Sequence, residues 1–133
     1  LMTAEIGFGR RLLEVLEDHE ISWEHMPSGI DSLSIVIKDS ELGDKLESVV
    51  AGIEKECQPD SIEAHSGIAL IATVGRGMNH IPGMSGCLFG ALAGAGVNVR
   101  MIDQGSSELN IIVGVDAADF ETATRAIYNA FVT

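Results

Sequence analysis

Apolar positions along this chain switch between helical and strand spacing, and each switch predicts a new element. Leu12, Leu13 and Leu16 share one face of a helix over residues 8–19, opened by the glycines of "IGFG". Strands are predicted over 21–26 and 33–37, joined by the turn-forming stretch "PSGIDS". A second helix follows in "KLESVVAGIEKEC", where Leu46, Val49, Ile53 and Cys57 recur on one face. After it, "PDSIEAHS" allows a short strand and "GIALIATVG" predicts a clearer one. The order then repeats: a helix over 84–95 with Leu88, Phe89 and Leu92 inward, strands over 97–102 and 109–115, and the turn "DQGSSE" between them. The last helix, "DFETATRAIYNAF", places Phe120, Ala123, Ile127 and Phe131 on one face, with Asp116 as its predicted cap.

The recurrence extends to the residues themselves. Residues 6–37 align without a gap on 82–113, at an offset of 76. Gly7 falls on Gly83, Leu12 on Leu88, Leu16 on Leu92, Ile21 on Val97, Gly29 on Gly105, Leu33 on Leu109 and Ile35 on Ile111. A register kept over that length implies a duplicated module. The expected architecture is α+β, two modules of helices packed on antiparallel sheets, divided at 1–66 and 67–133, the first strand of module 1 cut short at residues 1–3. Leu1 is not a natural start, so the chain is expected to be a fragment. Sheet edges and uncovered faces in such small modules need a partner.

The glycines of "IPGMSGCLFGALAGAGVNVRMIDQG" suggest a phosphate cradle, but neither G-x-x-x-x-G-K-S/T nor G-x-G-x-x-G occurs. The duplication assigns them instead to a helix start and a close helix–sheet contact, which would explain Gly90 and Gly94 inside the helix. The chain has 133 residues, 46% of them hydrophobic, enough for a core. Twenty acidic against eight basic residues leave a net charge of −12, which argues against nucleic acid or an anionic membrane as a partner. No signal peptide or membrane span is visible, and Cys57 and Cys87 are expected as reduced thiols in a cytoplasmic protein. His19, His25, His65 and His80 form no metal-binding motif. Asp103 and Glu108 flank a turn without defining an acid–base pair, no nucleophile elbow occurs, and Lys38, Lys45 and Lys55 have no phosphate-binding context. No catalytic residue, cofactor or metal is therefore expected in this chain.

A ligand site has better chemical logic. Gly7, Phe8 and Gly9 place backbone donors at a helix N-terminus, suited to a carboxylate. Glu5 and Glu24 could neutralise an ammonium group, and Ser28 could hydrogen-bond from the inter-strand turn. Together these suit a zwitterionic amino acid. The competing reading is that the glycines only permit the turn while both glutamates face water.

With these residues in view, the chain resembles the C-terminal regulatory region of bacterial aspartate kinases, with its paired ACT domains. The resemblance rests on residues 5–37, 83–115 and 119–131, above all on "SWEHMPSGID" and "VRMIDQGSSELNIIVGV". It implies two ferredoxin-like ACT modules of βαββαβ type, feedback inhibition by lysine or threonine, and a homodimer formed through the ACT modules. It also implies an N-terminal kinase domain, absent here, that phosphorylates the aspartate side chain with ATP and magnesium. Carried over residue by residue, it puts effector contacts at Met2, Glu5, Gly7, Phe8, Gly9, Ser22, Trp23, Glu24 and Ser28, and a second site at Met84, Ser85 and Gln104. Relatives often carry a smaller residue where Trp23 stands, and some lysine-binding ones an aspartate where Glu24 stands. The acidic residues favour lysine over threonine, for which Ser28 is the suitable partner. The alternatives are a stand-alone ACT sensor, the regulatory part of another enzyme of amino-acid metabolism, and an independent small enzyme.

Overall fold

A computed structural model of the chain describes residues 6–29, 32–74, 81–104 and 110–132. They fall into two compact units, Leu1–Ala64 and His65–Thr133. The acidity is uneven: the first unit holds fifteen acidic and five basic residues, the second five and three.

In the first unit, helix α1 (Phe8–Asp18) is followed by an extended segment, the one-turn helix α2 (Asp39–Leu42) and helix α3 (Leu46–Cys57). Leu16, Ile21 and Val49 form its buried centre, with Ile35, Ile37, Leu42 and Ile53 packed around them. Helices α1 and α3 cross closely: a methyl group added at Gly52 would stand 2.9 Å from Val15 Cγ1. Not every residue of the predicted apolar faces is inside, since Leu13 and Leu46 are exposed.

The second unit runs β1 (Ile68–Val74), α4 (Met84–Gly94), β2 (Val99–Asp103), β3 (Asn110–Asp116), a 3-10 turn (Ala117–Asp119) and α5 (Phe120–Val132). The strands form one antiparallel sheet in the order β1-β3-β2. Ile71 lies opposite Val113 on one side, and Ile102 opposite Val113 on the other, with an irregularity between Val99 and Met101. Strand alternation sends Ile71, Ile111, Val113 and Val115 into a core with Leu88, Leu92, Val97, Ala123 and Ile127. Leu88 and Leu92 are fully buried, each contributing about 2 kcal/mol of apolar transfer energy.

The duplication is sharpest around α1 and α4. Gly7 and Gly83 cap them in the same left-handed conformation, both at φ 88°. A side chain is strongly disfavoured there, which is why glycine opens both helices. At the other end, Ile21 N–H donates to the Leu16 carbonyl and Val97 N–H to that of Leu92, both at 3.0 Å. Glu20 donates to Glu17 and Gly96 to Ala93, at 2.9 and 3.0 Å, completing the same two-bond C-terminal cap.

Beyond the caps the copies diverge, and the expectation of two ferredoxin-like βαββαβ modules is overturned. Among the described residues there is one three-stranded sheet, in the second unit, a single α+β ferredoxin-like module. The segments expected as strands over 21–26 and 33–37 pair only as the isolated bridges His25–Val36 and Ser28–Leu33, with single backbone bonds such as Ser34 N–H to the Pro27 carbonyl at 2.9 Å, and form no continuous ladder. Two local features account for this. Pro27 has no N–H to give to a ladder where the second copy has Asp103. At Lys38–Asp39 the first copy turns into α2, whereas the second continues its strand through Gly114 and Val115.

Three smaller expectations also fail. Residues 59–66 form no strand, and pairing begins at Ile68. Gly90 and Gly94 do not serve close packing, because a methyl group at either would meet nothing within 4 Å. The close backbone approach is at Gly114, where an added Cβ would lie 3.0 Å from Met101 Cβ and 3.2 Å from Ile68 Cγ2. Asp116 makes no side-chain cap; its carboxylate pairs with Arg100 instead.

Candidate functional site

Among the predicted effector contacts, Met2 and Glu5 lie outside the described residues. Gly7, Phe8 and Gly9 form the half-buried start of α1. The first bond of the helix runs from Arg11 N–H to the Gly7 carbonyl, 3.0 Å. The N–H groups ahead of Arg11 in the first turn therefore lack partners within the helix. Arg11 also folds its guanidinium back over this end. Its Nη1 donates to the Ile6 carbonyl at 3.3 Å and would lie 3.3 Å from a Cβ on Gly7. Amide donors, helix dipole and guanidinium together favour a carboxylate at this end.

Ser22, Trp23 and Glu24 are three consecutive exposed residues on the extended segment after α1. Ser22 and Glu24 are held by groups within and just after the next segment. Glu24 N–H donates to the Val36 carbonyl at 2.8 Å, and Glu24 Oε1 lies 3.2 Å from Lys38 Nζ. Ser22 donates from its backbone N–H at 3.0 Å and from Oγ at 3.1 Å to the same oxygen, Oε1 of Glu41. The backbone bond, then the hydroxyl bond, hold the Glu41 carboxyl below its ordinary value; Lys45 and Lys38 act in the same direction, against some desolvation. Ser28 is exposed at the second bridge, opposite Leu33.

Lys38 and Glu41 are the neighbours that sequence reasoning missed. A hairpin pairing of 21–26 with 33–37 carries its partners on towards position 38. The polar run "KDSE" was therefore the available signal. What spacing could not supply was the turn of α2 that brings Glu41 back onto Ser22.

The second candidate set is less unified. Met84 is half-buried and packs on the core of the second unit, as a structural side chain would. Ser85 is exposed in the first turn of α4, and Gln104 is exposed just past β2. A shallow open depression on α1, lined by Arg10, Leu13, Glu14, Glu17 and Asp18, contains none of the predicted contacts. Among the described residues, no group of three or more His, Cys, Asp or Glu side chains is arranged to hold a metal ion; His80 lies outside them. Nor is any described helix long and apolar enough to cross a membrane.

Residues 71–131 match the family model for the ACT domain, a span that covers the sheet and both helices of the second unit from within β1. Aspartokinase 3 of Bacillus subtilis is 41% identical over 132 residues, covering 98% of this chain and 29% of that protein. The crystal structure of the aspartate kinase of Clostridium acetobutylicum, described as an allosteric enzyme, superposes with a TM-score of 0.95 at 53% identity. That match covers 98% of this chain and 30% of the other. The ligand-free regulatory subunit of aspartate kinase from Thermus thermophilus shares the fold, with a TM-score of 0.81 at 24% identity over 96% of this chain and 84% of its own. This chain thus spans less than a third of the two larger enzymes.

Proposed function

We propose that this chain, which corresponds to the non-catalytic ACT region of aspartokinases, senses an amino-acid end product and transmits its presence to a kinase domain. One observation carries the reading. Nearly all of the chain is matched, and closely, by under a third of an aspartate kinase described as allosteric. The remaining two thirds of such an enzyme is where catalysis belongs, so the kinase domain in the whole polypeptide would use ATP and magnesium to phosphorylate aspartate.

The favoured effector is lysine, with threonine as the alternative or joint effector. Its α-carboxylate would take the start of α1 at Gly7–Gly9, where amides and Arg11 gather positive potential. Its side-chain ammonium would take Glu24. Ser22, Trp23 and Ser28 would border it, and Met2 and Glu5 belong to the same proposal. Met84, Ser85 and Gln104 would form a second, separate site.

Self-association as a homodimer is part of this reading. The sheet face opposite the helices carries Ile68, Leu70 and Met101 around Gly114, and Val74 at the same parity is largely exposed. Such an apolar face is a candidate for burial against a partner.

Calorimetric titration with lysine and threonine, separately and together, is the direct test, paired with a kinase assay of the full-length protein. Lysine should bind and inhibit. Failure of both amino acids to bind or inhibit would reject the sensing role.

A further inference from the structure

The effector reading places an ammonium group against the Glu24 carboxylate, yet the protein already supplies one there. Lys38 Nζ lies 3.2 Å from Glu24 Oε1. We propose that Lys38 is a tethered competitor for the effector's side-chain ammonium and a specificity-determining residue of the site; this rests on the reading of Glu24 as an effector contact.

The backbone makes the competition local. Glu24 N–H is bonded to the Val36 carbonyl at 2.8 Å, so Lys38 starts two residues beyond a fixed point of the pairing. It is also the residue that caps α2, in an extended conformation. Within α2, Glu41 is tied to Ser22 through both of that serine's donors. The segments carrying Glu24 and Lys38 are thus joined on both sides of the ion pair. The two backbones stay in place while the lysine side chain is free to rotate away.

Exposure decides that displacement is feasible. The Lys38 side chain is 66% exposed and that of Glu24 38% exposed. A pair this wet is weak, because water screens it and holding a long side chain still costs entropy. A free lysine brings the same ammonium on the same four-carbon stem. If it displaces Lys38, the protein loses one ion pair as it gains another. If both ammonium groups share the carboxylate, they repel each other at close range. On either route Lys38 penalises a cationic side chain. It imposes no such penalty on an uncharged side chain of equal length.

The test titrates L-lysine and L-norleucine, which matches lysine in length but lacks the side-chain ammonium, into the full-length protein. Wild type is compared with Lys38→Met, Lys38→Arg and Glu24→Gln, each checked for a native circular dichroism spectrum. Lys38→Met should tighten lysine binding about two- to fivefold, the range of an exposed ion pair. Norleucine affinity should stay unchanged, and Lys38→Arg should behave as wild type. Equal tightening of both ligands, or unchanged lysine affinity in Lys38→Met while Glu24→Gln weakens it, overturns the role of Lys38 and leaves the Glu24 contact standing. Lysine binding that ignores Glu24→Gln, or no lysine binding to any variant, removes the Glu24 contact and this inference with it.

Discussion

Glu20 sits at φ 56°, a left-handed conformation that its counterpart in the second copy fills with Gly96 at φ 74°. An L side chain there costs about 1 kcal/mol, and the cap bonds around it are the same in both copies. Glu20→Gly should therefore raise stability by roughly 0.5–1 kcal/mol, part of the relief being lost to a more flexible unfolded chain. Urea denaturation would read the change, and a destabilised variant would refute the strain. Glu24 belongs to the same scale. If it holds the effector ammonium, Glu24→Gln should weaken lysine binding by about 1–2 kcal/mol, below the full value for a charged hydrogen bond because the group is partly exposed. Calorimetry on the folded variant decides it, and unchanged affinity removes Glu24 from the site.

At the scale of elements, α4 carries glycines it does not need for packing. Gly90 is interior to the helix, exposed, and has open space where a side chain would begin. Gly90→Ala should stabilise the second unit by about 1 kcal/mol, the helix-propensity difference. Gly114→Ala is the matched opposite: on β3 the new methyl group would press on Met101 Cβ at 3.0 Å, and the thermal midpoint should fall. Equal effects of the two variants would mean that the packing around Gly114 yields. The link between the Ser22 segment and α2 has its own signature in pH. Glu41 has a folded pKa below its unfolded one, so its contribution is complete above the unfolded value and lost as pH falls through the folded value. The protection of the Ser22 amide relative to its intrinsic exchange rate should fall across that acidic window, and Glu41→Gln should abolish that fall. A Ser22 protection factor that stays constant with pH in the wild type would show that the bond does not hold in solution.

Over the whole molecule, the sheet face away from the helices of the second unit presents Ile68, Leu70 and Met101. Pairing of such surfaces between copies is the common symmetric solution. Sedimentation equilibrium over a wide concentration range should detect a dimer; a monomer that persists in folded protein at high concentration counts against it. The charge is also a property of this scale. At −12 overall, with most of the acidity in residues 1–64, encounter with cationic ligands should weaken as salt is raised.

Periodicity by itself determined where the long helices lie. The spacing of Leu12 and Leu16, and of Leu88 and Leu92, is a local property that any helix of that sequence must express. The offset of 76 likewise determined that Gly7 and Gly83 would do the same work, since a left-handed cap constrains only the residue occupying it. Tertiary structure decided the rest, because strands depend on partners distant in sequence. The same strand–turn–strand pattern became a ladder at β2–β3 and two isolated bridges at 25–36 and 28–33. Pro27 was visible in the sequence, but its consequence emerges only when the two segments try to pair, and spacing did not supply the turn at Lys38–Asp39. The candidate site divides in the same way. Its helix start was legible from glycine alone, whereas the attachment of Lys38 to Glu24 and of Glu41 to Ser22 had to wait for the fold, since each bond joins side chains whose separation is set by the chain between them.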